Sequence, residues 1–291
     1  MRGTVLAVLV LAASVYGVGY WMSHGPGTAS KGRVGALLDE EEDSERRIID
    51  QAEALAGVDG ATALEGLERV VRRYRVDLRS QDRFLEASMA GTGTVRENLV
   101  VAASVGDGRL SGPAVLTEMV RILADSHIDF TVRCVWLSGA GSLKAYETDL
   151  QQRGERVRGW IVLDSVGRFA SGGTKQFWPW YTRAFQDAGP EAITFQAGIG
   201  SRSWMETVVR DFRIRARLPS AVLCAPECWL SMGITPWKEA AADQVFVSDT
   251  GPWRGVNRED PSSLNGPAMA QLTHGLAATV VALSRRNQPK L

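Results

Sequence analysis

The 291-residue chain reads as an α/β protein: a three-layer α/β/α sandwich with a central mixed, mostly parallel sheet, preceded by one N-terminal transmembrane helix. Three observations lead there. Residues 99–103, 132–137 and 160–163 are largely apolar runs of strand length, as expected of strands buried on both faces. Each run is followed by a loop and a helical stretch, and strand–loop–helix units in succession favour a parallel sheet covered by helices. Finally, residues 5–22 form an apolar run interrupted only by Ser14, Gly17 and Gly19, close to the ~20 residues that cross a bilayer.

In chain order, Arg2 precedes that apolar run, and Tyr16, Tyr20 and Trp21 stand towards its far end, where aromatic side chains favour a membrane interface. A single-pass anchor over residues 1–22, with the domain on the extracytoplasmic side, is the favoured reading. A cleaved signal peptide on a secreted protein is the alternative, with Gly17-Val18-Gly19 or Gly27-Thr28-Ala29 as small-residue cleavage sites. Residues 23–44, with His24, Gly25, Pro26, Gly27 and the acidic run from Asp39 to Asp43, read as a solvated flexible linker. One domain then occupies residues 45–291.

From Ser44, read as an N-cap, Ile48, Ile49, Ala52, Leu55 and Ala56 form a helical stripe. A second helix covers 61–74, with Leu64, Leu67, Val70 and Val71 inward. Residues 84–89 alternate weakly as a strand, and Thr92-Gly93-Thr94 suggests a hairpin into the strand beginning at Asn98. That strand runs into the turn Gly106-Asp107-Gly108-Arg109. Ser111, read as an N-cap, and Pro113 then open a helix whose stripe is Val115, Leu116, Met119, Val120, Ile122 and Leu123. Residues 130–137 form a strand of β-branched and aromatic residues, followed by a glycine-rich loop and a polar helix at 143–153. A buried strand at 160–163 ends at Asp164. Helices follow at 176–188 and 203–212, strands at 221–224 and 244–247, and a last helix at 266–285.

Composition narrows function more by exclusion. With 33 basic and 33 acidic residues the chain has no net charge, which argues against a nucleic-acid binder. Three cysteines make no disulfide scaffold, although Cys224 and Cys228 are close enough in sequence for a local bridge in an oxidising compartment. Neither a Gly-x-Ser-x-Gly elbow nor a phosphate-binding Gly-x4-Gly-Lys loop is present. Only three histidines exist: His24 in the linker, His127 after a helix and His274 inside the last helix. Six of the nine tryptophans, Trp178, Trp180, Trp204, Trp229, Trp237 and Trp253, cluster in the second half and suit core packing or a partner surface.

The order of motifs resembles the di-zinc aminopeptidase family, whose zinc-peptidase fold is shared with glutaminyl cyclases. NLVVAAS resembles the family's buried strand, and DGRLSGPAVLTEMVRIL its metal-bridging loop and helix. VRCVWLSGAGSLKAY is similar to the strand and loop that carry paired glutamates, keeping Gly141-Ser142 and Ala145-Tyr146. IVLDSVG is similar to the third strand, with Asp164 and Gly167, and RLPSAVL to the late Ile-Pro-Ala strand. The resemblance implies two zinc ions, yet most of their ligands are missing. Residues 103–105 contain no His-x-Asp, Gly108 stands where the bridging Asp belongs, and Ser138-Gly139-Ala140 replaces the glutamates. Residues 248–260 lack the closing histidine, so only Asp164 holds a ligand position.

A co-catalytic zinc pair needs several converging N and O donors and a carboxylate to take a proton from bound water. The expected reading is therefore a membrane-anchored, catalytically inactive aminopeptidase-like domain without a cofactor, binding a peptide or protein partner outside the cytoplasm. The alternative is an active zinc metallopeptidase or related hydrolase with non-standard ligands, and a third is a scaffold component. No catalytic residue is assigned. The candidate pocket is bordered by Asp107, Arg109, Ser138, Asp164 and the loop at 248–257, where Arg109 is suited to a bidentate carboxylate contact.

Overall fold

The computed structural model describes residues 2–28, 36–93, 97–169, 192–226, 242–249 and 258–285, with side chains of the first helix described from residue 13 onward. The elements are α1 (Arg2–Ser23), α2 (Asp39–Leu55), α3 (Gly60–Val71), β1 (Asp77–Gln81), β2 (Phe84–Met89), β3 (Glu97–Val105), α4 (Ser111–Ala124), β4 (Thr131–Ser138) and α5 (Ser142–Gln152). They continue as β5 (Arg156–Leu163), β6 (Ile193–Gly198), α6 (Arg202–Arg215), β7 (Ser220–Ala225), β8 (Gln244–Ser248) and α7 (Gly266–Ser284).

One eight-stranded sheet, ordered β1-β2-β4-β3-β5-β8-β6-β7, organises the molecule. Its centre is parallel: β3 lies between β4 and β5, and β8 runs parallel beside β5. Antiparallel pairs flank that centre, with β1 and β2 on one side and β6 against β8 on the other. The strand interior is apolar on both faces because both are covered. Leu99, Val101 and Ala103 point into the larger core cluster, whereas Val100 and Ala102 join Phe84, Val135, Tyr146 and Trp160 in a second one. The larger core lies under α2, α3, α4, α6 and α7. The second face is covered by α5, and at β7 by the end of α1, where Met22 packs with Leu223 and Ala225. Helix α4 is buried almost all round because it is held between the sheet and both α2 and α7.

Several expectations change. No hairpin joins β2 to β3: β4 intervenes, and the hairpin that exists is β1–β2, turning at Asp82 and Arg83. Strand β6 was not expected. The acidic run at 39–43 is not linker but the first turn of α2, where carboxylates favour the helix dipole. There Glu41 is buried, accepts from the Leu38 N–H at 2.9 Å and pairs with Arg217. Ser44 is accordingly no cap; it lies inside α2, fully buried. The apolar N-terminal stretch forms α1 (Arg2–Ser23), but among the described residues no helix is long and apolar enough to cross a membrane, and the last turn of α1 is docked on β7. The expected helix at 176–188 lies outside the described residues.

Candidate functional site

Parallel strands bring their carboxyl ends to one edge, the place where open α/β sheets put ligands. Here that edge gathers the ends of β4, β3, β5 and β8. After β3 the chain turns sharply: Gly106 bridges Arg109, whose N–H donates to the Gly106 carbonyl at 3.1 Å. Asp107 takes the exposed apex with φ +56°, a left-handed conformation that aspartate tolerates better than most residues. Arg109 is thereby sent back over the sheet.

There it meets Asp164. This residue follows β5 directly, held by its own N–H to the Val247 carbonyl at 3.0 Å, and is only 7% exposed. The Arg109 Nη1 donates to Asp164 Oδ1 in a charge-assisted hydrogen bond. Burial pushes the Asp164 carboxyl above its usual value, while the charge and hydrogen bond of Arg109 pull it back. The carboxylate that the resemblance places at a ligand position therefore has a guanidinium as its counter-ion.

Glu259 fills the neighbouring helix terminus. Ser111 does not cap α4; it is the first helical residue, and its preceding Leu110 offers no side-chain cap. Instead the Glu259 carboxylate accepts from the N–H groups of Leu110 at 2.7 Å and Ser111 at 2.8 Å, and from the Ser111 hydroxyl at 2.5 Å. Ser111 Oγ also accepts from the Val166 N–H at 2.9 Å, tying the β3–α4 turn to the loop after β5. Asp249, fully buried beyond β8, donates its N–H to the Ser165 carbonyl at 2.8 Å and accepts from the Arg168 N–H.

Of the pocket residues read from the sequence, the structure joins Arg109 to Asp164 and leaves Asp107 in solvent. Ser138 ends β4 with its N–H on the Arg83 carbonyl at 2.9 Å and its hydroxyl against Gly60 at the start of α3. Most of the loop at 248–257 lies outside the described residues. Glu259 was missed, because nothing local marks an acid that serves a helix 149 positions earlier in the chain; Asp249 falls in the loop that was expected at the pocket. The histidines are elsewhere: His24 stacks on Tyr20, His127 lies 3.6 Å from Asp129, and His274 meets the Ser44 hydroxyl at 2.9 Å between helices. Cys224 is a free, buried thiol facing the Gly198 carbonyl within the sheet, not half of a bridge; Cys228 lies outside the described residues. Trp204 packs against Gly159 and donates to the Trp160 carbonyl at 3.0 Å, while Trp178, Trp180, Trp229, Trp237 and Trp253 fall outside the described residues.

A zinc pair does not fit this donor set. Among the described residues no group of three or more His, Cys, Asp or Glu side chains converges as a metal site. Asp164 is engaged by Arg109 and Glu259 by a helix terminus, so neither carboxylate is free to ligate.

A separate polar cluster, also unforeseen, lies on the second face. Glu86 of β2 is 2% exposed; it accepts from Tyr146 at 2.6 Å, Arg133 at 2.5 Å and Arg153 at 2.9 Å. Burial raises its pKa, but the hydrogen bonds from Arg153 and Tyr146 and the Arg133 charge outweigh that and leave it below the usual value. Arg133 also pairs with Glu155 at 2.7 Å and Arg153 with Asp149 at 3.0 Å, so the cluster ties β2, β4 and α5 together.

No family model matches the chain, and no curated protein matches it either. Solved structures do. LapB from Legionella pneumophila superposes with a TM-score of 0.62 at 12% identity, covering 89% of this chain and 79% of that one. The LapA aminopeptidase of the same organism gives 0.59 at 14% identity, covering 91% and 78%. Fimbriiglobus ruber glutaminyl cyclase gives 0.56 at 11%, covering 88% and 99%. The chain has the aminopeptidase and glutaminyl cyclase-like fold.

Proposed function

We propose that this chain is a membrane-anchored, catalytically inactive aminopeptidase-like domain that binds a peptide or protein partner outside the cytoplasm. The observation that carries inactivity is the Arg109–Asp164 pair: a guanidinium neutralises the buried carboxylate at the ligand position, in a chain whose described residues offer no converging donors. Partner binding follows from the fold, whose strand ends are ligand-binding surfaces and whose neighbours include an aminopeptidase and a glutaminyl cyclase. Anchoring is supported by the charge-free stretch between Arg2 and His24, and by α1 side chains that the domain leaves uncovered: Val15, Tyr16, Val18, Tyr20 and Trp21. The test is to assay the full chain in detergent, with added zinc, on aminoacyl and N-terminal glutaminyl substrates. No turnover is expected; turnover abolished by Asp164→Ala overturns the reading in favour of a hydrolase with non-standard ligands.

A further inference from the structure

The segment after α1 is held where a swinging linker would be free. Arg202, at the start of α6, donates to the carbonyls of Trp21 at 2.8 Å and His24 at 3.2 Å, two of the acceptors that the end of α1 leaves open. Its guanidinium also lies over the Trp21 ring, 4.0 Å from the centroid. About three turns further along α6, Arg213 reaches the carbonyls of Gly25, Pro26 and Gly27 at 3.2, 2.9 and 3.1 Å, while its Nε holds Ser220 of β7 at 3.1 Å. Gly25 is needed there: a Cβ would come within 2.6 Å of the Val222 side chain. Arg217 then secures the far side of the connection, donating to the Ala36 carbonyl at 3.1 Å and pairing with Glu41. Met22 and Ser23 are buried by this docking.

Three arginines in and just after one helix thus grip both ends of the stretch that the sequence suggested was a tether. Directly before the grip, α1 presents Val15, Tyr16, Val18, Tyr20 and Trp21 to the outside, 41–63% exposed. Residues 13–18 are exposed on every side of the helix, and this surface is continuous with an apolar sequence that carries no charge back to Arg2. At its end Tyr20 stacks on His24 and Trp21 lies under the Arg202 guanidinium, aromatic rings followed by a cation, the order found where a helix leaves a bilayer.

We propose that α1 is a permanent strut, bolted to the β7 edge of the sheet by Arg202 and Arg213, and that the part of it left exposed before the docked last turn lies in a lipid bilayer, so that the domain stands on the membrane at a fixed angle. This rests on the anchoring reading above. It also implies that the working protein keeps residues 1–29, because losing that segment would strip Arg213 of its carbonyl partners.

The experiment uses the full chain with a specific-protease site placed within residues 29–35, reconstituted in vesicles of phosphatidylcholine and phosphatidylglycerol. Before cutting, the wild-type chain and an Arg202→Ala/Arg213→Ala variant are both expected to float with the vesicles. If the uncut chain does not float, the anchoring reading itself fails. After cutting, the wild-type domain is expected to stay with the vesicles through the clamp, and retention of the variant is expected to fall at least ~10-fold. Equal release of both cut proteins overturns the strut while leaving anchoring intact. Melting curves of the uncut variant are expected to show that its domain remains folded. Brominated lipids are expected to quench an emission component that Trp21→Phe removes; no quenching of that component overturns the placement in lipid. An intact mass lacking residues 1–29 overturns the permanent strut.

Discussion

Replacing Arg109 with methionine removes the guanidinium but keeps most of the apolar stem. Asp164, 7% exposed, is then left as a buried carboxylate with its counter-ion gone. Removing one partner of a fully buried pair costs about 3–5 kcal/mol, but the Arg109 side chain is 31% exposed, and water entering there lowers the loss to about 2 kcal/mol. In a chain of this size that corresponds to a fall of roughly 4–8 °C in Tm. The pH dependence is diagnostic. The folded pKa of Asp164 is already raised, so folding takes up a proton between the unfolded value of 3.8 and the folded one, and stability falls as pH rises through that window. Without Arg109 only the burial effect remains and the folded value climbs further. The deficit of Arg109→Met should therefore be largest near neutrality and should shrink as Asp164 becomes protonated. Thermal melts from pH 4 to 8, with Asp164→Asn and the double variant completing the cycle, measure this. A variant as stable as wild type at pH 7, or a deficit independent of pH, refutes the ion-pair account.

Glu86→Gln should cost about 3 kcal/mol, since it leaves Arg133 and Arg153 facing a neutral group in a buried site; urea unfolding measures it. Because the folded pKa of Glu86 is lowered, its contribution is present above the unfolded value of 4.5 and is lost as pH falls through the folded one, so wild type should lose stability below pH 4.5 more steeply than Glu86→Gln. Glu259→Ala should cost about 1–2 kcal/mol by leaving the N-terminus of α4 uncapped, and combining it with Ser111→Ala should add less than the sum of the single changes. Gly159→Ala should lower stability by about 1–3 kcal/mol, because the new Cβ would fall 2.5 Å from the Trp204 ring; denaturant midpoints test it.

The centre of the fold was legible because burial on both faces writes itself into local composition. The inner segments of β3, β4 and β5, at 99–103, 132–137 and 160–163, are largely apolar runs, and the structure places them side by side. Where partners are distant, the sequence was silent or misleading. The strand at 84–89 is buried on both faces between two antiparallel neighbours, yet its local appearance suggested a hairpin with β3 rather than pairing with β4. The acidic run looked like a solvated linker because Arg217, which buries Glu41, lies 176 positions away. At the site, Asp164 and Arg109 were both named from their positions at strand ends and turns. That they satisfy each other depends on the tight turn at Gly106, which sequence spacing does not encode.

Native mass spectrometry of the full chain, titrated with zinc at neutral pH, tests the central claim most directly. With Arg109 serving as the counter-ion of Asp164, the expected result is no stoichiometric zinc in the wild-type protein and none gained in Asp164→Ala. Two zinc ions per chain, lost on Asp164→Ala, would contradict the account.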